Sequence, residues 1–500
     1  MSAFERHPGL ARVLTATLHG IEGRRVRVEA DVASSLPGFS LVGLPSAALR
    51  ESRERVGAAL RNAGFSWPEG RITVSLAPAD LRKDGAAMDL AIAVALLLAS
   101  GQLSRPPGER LRRTLWVGEL ALDGALRPPR GTLALALDAA ALGFDRMVVP
   151  AAAVDELLDG LVGESGIEVV GIDHLRAVRP LVARFDRLVG AGPRRSRRPA
   201  RDPRTAIRRL GEVRGQVRAK RALVIAAAGG HGLLMQGPPG CGKTMLGRRL
   251  VDLLPDLDAA MQRTCHRIRS SRGLAGTEVH RPPLRAPHHS VSSVGLIGGG
   301  RPVQPGEITL AHGGVLLLDE IPEFGRDRLD RLREPLTDGR IEIVRAGEHF
   351  VLPADFQLVA TANPCPCGWS GSHVDRCRCP VNAIERHRRR LSGPLRDRID
   401  LWVDMDREPA ESLVSSDTEN DAPVRGWVEA VAVVRRDRTV EPVVEEEARH
   451  FAALIADRRG LSARALKRSL RVAWTIARLE GQHAVRRSDL AEAFTYRPAS

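Results

Sequence analysis

Three short stretches carry residue types whose spacing suits phosphoryl chemistry. In LLMQGPPGCGKTMLGRRL, Gly237, Gly242, Lys243 and Thr244 fit the pattern G-x-x-x-x-G-K-[ST], with Pro238, Pro239, Gly240 and Cys241 filling the turn. Glycines there let main-chain N–H groups close around phosphates, and the helix that follows directs its positive end at them. Lys243 is expected to reach the β- and γ-phosphates, and the Thr244 hydroxyl to bind Mg²⁺. Further on, the apolar run of GGVLLLDEIPEF ends in Asp319 and Glu320. An aspartate at such a strand end holds Mg²⁺ through water, and a neighbouring glutamate polarises the attacking water. A third run, DFQLVATANPC, ends at Asn363, whose amide suits a position beside the γ-phosphate. ATP and Mg²⁺ are the cofactors these residues predict.

Immediately after Asn363, Cys365, Cys367, Cys377 and Cys379 form the pattern C-x-C-x9-C-x-C. Four thiolates are a ligand set for tetrahedral Zn²⁺, and a closed four-thiolate site leaves no open position for a substrate. The expectation is a structural staple beside the third strand rather than a catalytic metal. His373 is an alternative ligand, and the remaining Cys241 and Cys265 read as ordinary buried or loop residues.

The elements that must position these groups fit a multidomain α/β protein. Five hundred residues exceed one ordinary core. A content of 43% hydrophobic and 27% charged residues is that of a globular chain. The longest apolar run, Leu90 to Ala99, is too short to span a bilayer, and the start MSAFERHPGL lacks a signal-peptide core. A reducing, cytoplasmic setting is expected, where clustered cysteines bind metal rather than form disulfides. The net charge of +15, almost all of it arginine, favours a polyanionic partner, most simply nucleic acid. Aromatic residues make up only 3%, so phosphate contacts through arginine fit better than base stacking. Residues 194–209 hold eight arginines and one aspartate among prolines, an exposed linker able to touch a nucleic-acid backbone. The stretch SSDTENDAP, Ser415 to Pro423, leads into a tail with apolar residues at helical spacing.

The three nucleotide-site elements, in this order, resemble an AAA+ ATPase. The words RAPHHSVSSVGLIGGG, PGEITLAHGGVLLLDEIPEF, LREPLTDG, NPCPCG and LSGPLRDRIDL resemble the magnesium-chelatase-like ComM/YifB family. That resemblance implies a Lon-protease-like α/β domain at 1–185, an Arg/Pro-rich linker at 186–209, a P-loop AAA+ core with a parallel sheet at 210–403, and a linker with a helical lid at 404–500. It implies a hexameric ring and a DNA helicase that drives branch migration during recombination of incoming DNA, with branched or single-stranded DNA as its partner. Arg398 in PLRDRIDL matches the arginine finger that reaches the neighbouring subunit's ATP, with Arg396 as its rival; Arg464 in LSARALKRSL matches the sensor arginine of the lid. GRIEIVRAGEHFVLPADFQ resembles a channel-facing hairpin, and its alternation supports a hairpin independently. Arg345 and His349 are its candidate DNA contacts. Arg285, His288 and His289 resemble a helix-inserted loop of the same family, and the basic run Arg386, Arg388, Arg389 and Arg390 suits DNA or an adjacent subunit.

Within the Lon-like resemblance, RKDGAAMDL aligns with the turn that carries the nucleophilic serine, and Ala87 stands at that position. The partner lysine falls at Arg127. A methyl group cannot attack a carbonyl, and a guanidinium stays protonated and is a poor base. The N-terminal domain is therefore expected to be a binding or assembly module. Two alternatives to a DNA motor remain: a metal-insertion subunit of the magnesium-chelatase type, and an ATP-regulated scaffold.

Overall fold

The computed structural model describes residues 9–43, 51–83, 86–105, 108–158, 166–185, 213–274, 279–345, 347–371, 376–408, 427, 430–435 and 440–497. The arginine-rich stretch 194–209, His373 and the acidic stretch 415–423 lie outside them. The chain forms two compact units. The first takes in the described residues of Met1–Arg198, Ala259–Val279 and Gly300–Pro305; the second takes in those of Pro199–Asp258, His280–Gly299 and Gly306–Ser500.

The first unit is built on a seven-stranded mixed sheet. Its strands are β1 (Leu10–His19), β2 (Glu22–Ala33), β3 (Gly38–Val42), β4 (Arg71–Ala77), β5 (Thr114–Trp116), β8 (Arg146–Pro150) and β9 (Glu168–Ile172), and a short hairpin of β6 (Glu119–Leu120) and β7 (Leu126–Arg127) lies apart. The order is β3-β4-β2-β1-β5-β8-β9. β2 shows why: Val26, Val28 and Ala30 are buried while Arg25, Arg27 and Asp31 are exposed, the two-residue period of a sheet with one covered face. The helix Asp89–Ala99 is apolar on every side, so it is buried along its whole length. Its Asp89 carboxylate accepts from Ser52 Oγ at 2.5 Å and Arg55 Nε at 2.8 Å, which satisfies the buried charge. The helix Ala259–Ser271 also belongs here: Arg267 pairs with Asp138, and Ser270 Oγ accepts from the Ala134 N–H at 3.1 Å.

The second unit carries a five-stranded parallel sheet of β10 (Leu233–Gln236), β11 (Leu284–Arg285), β14 (Val315–Leu318), β17 (Gln357–Ala362) and β18 (Leu401–Asp404), in the order β11-β14-β17-β10-β18. β14 and β17 are buried at every position, the signature of parallel strands covered on both faces. The short β12 (Gly298–Gly299) belongs to this unit and the short β13 (Gln304–Pro305) to the first. A separate antiparallel pair, β15 (Arg340–Arg345) with β16 (Glu348–Pro353), completes the strands described in this unit. The expected hairpin is present: β15 and β16 pair antiparallel with Arg345 opposite Glu348. Ile341, Phe350 and Leu352 face inward, and Val344 and Val351 are exposed.

Three helices close the chain, Glu446–Arg459, Ala463–Leu479 and Arg487–Thr495. Gly460, in the left-handed region at φ 59°, ends the first. Ser462 Oγ accepts from the Ala465 N–H at 3.2 Å and starts the second, which buries Val472, Ala473, Trp474 and Ile476 in the unit's core. No helix among the described residues is long and apolar enough to cross a membrane.

Candidate active site

Strand order and register gather the residues that the sequence assigns to phosphoryl chemistry. β14, β17 and β10 are neighbours, with Leu318 level with Ala360 and Gln236 level with Ala362. The residues just past these ends, Asp319, Asn363 and the loop from Gly237, therefore meet at the carboxyl edge of the sheet, where open α/β sheets bind ligands. Gly237 has no room for a side chain: a Cβ there would lie 2.2 Å from the Met405 carbonyl oxygen. Gly240 (φ +79°) and Gly242 (φ +89°) hold left-handed conformations that favour glycine, and the helix Lys243–Leu253 begins directly after them.

The Lys243 ammonium lies within this loop. Its Nζ donates to the carbonyls of Gly237 at 2.7 Å and Pro238 at 2.9 Å, and to Asn363 Oδ1 at 3.2 Å. Burial lowers its pKa from the ordinary lysine value. Phosphate oxygens would offer this cation charged acceptors in place of carbonyls, and charge-assisted hydrogen bonds are about twice as strong. Thr244 Oγ1 donates to Asp319 Oδ1 at 2.8 Å. A hydroxyl and a carboxylate in contact are hard oxygen donors of the kind Mg²⁺ takes together with phosphate oxygens and water. The residues present fit a magnesium nucleotide.

Sequence reasoning missed Thr361. Its Oγ1 donates to Asp319 Oδ1 at 2.5 Å and accepts from the Glu320 N–H at 2.9 Å, and the side chain is fully buried. Glu320 itself has φ 52°, an uncommon conformation for a residue with a side chain, and its side chain is exposed. Thr361 thus ties down both acids. The available signal was one polar residue inside the apolar run of β17, two positions before Asn363.

The cysteine loop lies against the same site. Sγ–Sγ distances are 3.4 Å for Cys365–Cys367, 3.8 Å for Cys365–Cys377 and 3.7 Å for Cys367–Cys377, and all four Sγ atoms, Cys379 included, lie within 4.8 Å of one another. Zinc–thiolate bonds of about 2.3 Å in a tetrahedron give S–S edges of about 3.8 Å, so the spacing fits that metal. No other group of three or more metal-ligating side chains occurs among the described residues; the His288 and His289 rings lie 4.0 Å apart, tilted by 36°, and belong to no such group.

The expected arginines form a separate cluster. Arg398 Nε donates to the Arg333 carbonyl at 3.1 Å and Thr337 Oγ1 at 3.0 Å, and its Nη1 donates to the Pro394 carbonyl at 2.7 Å. Burial lowers its pKa, and the nearby charges of Arg464, Arg333 and Arg468 lower it further. Arg464 is exposed in the first turn of the helix Ala463–Leu479. Arg396 instead lies over the Trp402 ring at 5.3 Å. Among the described residues, no hydrogen bond or ion pair joins Arg398 or Arg464 to Lys243, Asp319 or Glu320.

Arg345 is exposed at the hairpin tip, whereas His349 Nε2 lies 3.2 Å from Glu342 Oε2 across the strands. Arg285 makes a two-point contact with Glu307 at 2.7 and 2.8 Å. In the basic run, Arg390 pairs with Glu323 at 2.5 Å and Arg389 with Glu385 at 3.5 Å, while Arg386 and Arg388 are exposed. In the first unit, Ala87 is buried and lines a cavity of about 460 Å³ together with Glu119 and Arg130. Arg127 is exposed and is not part of that lining.

Comparison with known proteins accounts for most of the chain. Residues 209–413 match the family described as "Magnesium chelatase, subunit ChlI", residues 28–153 "Subunit ChlI of Mg-chelatase", and residues 432–497 "Magnesium chelatase, subunit ChlI C-terminal". The chain is 40% identical over 509 residues to "Uncharacterized protein Rv2897c" of Mycobacterium tuberculosis, covering 98% of each chain. It is 38% identical over 511 residues to "Uncharacterized protein YifB" of Escherichia coli and 38% identical over 514 residues to "Competence protein ComM" of Haemophilus influenzae, in both cases covering 98% of this chain and 97% of the relative. With the same words quoted from its sequence and this identity running from end to end, the chain belongs to the magnesium-chelatase-like ComM/YifB family.

Proposed function

We propose that this protein is an ATP-hydrolysing AAA+ ring motor that acts on DNA, driving branch migration in recombination or natural transformation. The observation that carries the ATPase reading is the pair of contacts, Lys243 to Asn363 and Thr244 to Asp319, brought together at the ends of three neighbouring strands. Lys243 supplies positive charge to the transferring phosphoryl oxygens, and Thr244 with Asp319 holds Mg²⁺, which neutralises charge on the phosphates when bound. Glu320 polarises the attacking water, and Asn363 orients it.

Arg398 acts on the ATP of a neighbouring subunit. The lack, among the described residues, of a hydrogen bond or ion pair from Arg398 to Lys243, Asp319 or Glu320 supports a role in trans, as do the neighbouring positive charges of Arg464 and Arg333. The ring is hexameric, the C-terminal helices form its lid, and the N-terminal unit is a Lon-like module without protease chemistry. The four cysteines hold a structural Zn²⁺.

DNA as the partner draws on the net charge of +15 and on the name of the ComM relative. The exposed Arg345 and His349 on the hairpin contact the strand. A branch-migration and unwinding assay with purified protein, using Glu320→Gln as control, tests the reading. ATP-dependent movement of a four-way junction is expected from the native chain only. ATP hydrolysis without any effect on forked or four-way DNA would reject the DNA motor.

A further inference from the structure

We propose that one Zn²⁺ ion held by Cys365, Cys367, Cys377 and Cys379, together with His387, fixes Asn363, so that metal occupancy sets the rate of ATP turnover and not the affinity for ATP. The inference rests on the ATPase reading above and concerns the regulation of that site.

The ligand chemistry is specific. Thiolates are soft donors that select zinc over Mg²⁺ or Ca²⁺. The sulfurs of Cys365, Cys367 and Cys377, 3.4 to 3.8 Å apart, are too far apart for a disulfide, whose S–S length is about 2.05 Å, and are spaced as the edges of a metal tetrahedron, with Cys379 Sγ within 4.8 Å of each. Four thiolates brought so close repel one another unless a cation lies between them.

Three links run from this cluster to the nucleotide site. Cys365 follows Asn363 by two residues, with Pro364 buried between them, and the Asn363 side chain accepts from Lys243 Nζ. The loop after Cys367 packs close to Asn363: a Cβ at Gly368 (φ +84°) would lie 3.7 Å from Asn363 Cγ and 2.7 Å from Pro239 Cδ. Beyond the cluster, the helix Val381–Arg388 carries His387, a buried residue whose Nε2 lies 3.1 Å from the Asn363 carbonyl oxygen. The other ring nitrogen is 4.0 Å from Glu323 Oε1, which also receives Arg390 Nη1 at 2.5 Å. Glu323 lies in the turn Ile321–Phe324 that follows Glu320.

The Asn363 main chain is therefore held on one side by the thiolate loop and on the other by a histidine anchored to an acid–arginine pair. Lys243, Thr244 and Asp319 make contacts of their own that do not pass through the cluster, so the grip on phosphates survives loss of the metal. What is lost is the placement of Asn363. His387 is a positioning residue in this scheme, since it acts through Asn363.

The test measures metal content, ATP affinity and turnover on the same full-length protein. One zinc per chain is expected, and Co²⁺ in its place should give thiolate charge-transfer absorption. The Cys367→Ser/Cys377→Ser variant should lose the metal, bind ATP with little change, and turn over about 10- to 100-fold more slowly, the usual effect of removing groups that orient a site. His387→Ala should keep the zinc but show the same fall in kcat, and His387→Gln should recover part of it. If the cysteine variant does not fold, chelation of folded wild-type protein followed by return of Zn²⁺ makes the same comparison. A zinc-free wild-type chain overturns the proposal, as does hydrolysis at the same rate with and without zinc, or loss of ATP binding in step with loss of metal. Absence of ATP hydrolysis from the zinc-loaded wild type overturns the ATPase reading and the coupling with it, whereas hydrolysis that ignores zinc overturns the coupling alone.

Discussion

Replacing Thr361 with valine keeps the shape of a buried β-branched side chain and removes one hydroxyl. That hydroxyl makes two bonds, to Asp319 Oδ1 at 2.5 Å and from the Glu320 N–H at 2.9 Å. A hydrogen bond to a charged group contributes about 1.5–3 kcal/mol, and a buried N–H left without an acceptor costs about 1–3 kcal/mol. Both effects fall on the two acids rather than on the core, because the valine methyl fills the space the hydroxyl leaves. If about 3 kcal/mol of this total is expressed in placing Asp319 and Glu320, turnover falls by roughly 150-fold. Steady-state ATPase measurements at saturating Mg²⁺ and ATP read this directly, with nucleotide binding measured without Mg²⁺ to show that the Lys243 loop is intact. Thr361→Ser keeps the hydroxyl and should retain most of the activity. A folded Thr361→Val protein with native kcat, or a serine variant as impaired as the valine one, would refute the role given to this residue.

Other outcomes follow from the same structure. Lys243→Ala should abolish ATP binding, checked by titration with a fluorescent nucleotide, and native affinity would remove the basis for the phosphate cradle. DNA binding should weaken steeply with added salt, as counterion release requires, and a salt-independent affinity measured by filter retention would point away from phosphate contacts. Mixed rings of Arg398→Ala and Lys243→Ala subunits should regain ATPase activity that neither parent has, since each supplies what the other lacks. A mixture as inactive as its parents would move the finger to Arg396.

Much of the site was legible in the sequence because each of its parts sits at the end of a strong local signal. The glycine turn, the acid pair and Asn363 all follow apolar runs, and parallel strands place their carboxyl ends together. The hairpin was legible from the alternation around Ile341 and Val351 and from Gly347 at its turn. Thr361 was not, because its value depends on β17 lying between β14 and β10, a non-local register that no single strand records. His387 was hidden in the basic run Arg386 to Arg390, where the buried residue of the helix is the histidine and the arginines around it are exposed. The helix Ala259–Ser271 is amphipathic, but its apolar face does not name its partner; only the fold assigns it to the first unit. The nearness of Arg398 to Arg464, far apart in the chain, was likewise a matter of tertiary packing.

The measurement that bears most directly on the phosphoryl-transfer site is a paired determination of ATP binding and hydrolysis for the native chain and Glu320→Gln in the presence of Mg²⁺. The native chain should do both; the variant should bind ATP with near-native affinity and hydrolyse it at least about 100-fold more slowly, as loss of a water-activating base requires. Equal hydrolysis by the two proteins, or a native chain that binds no ATP, would contradict the account.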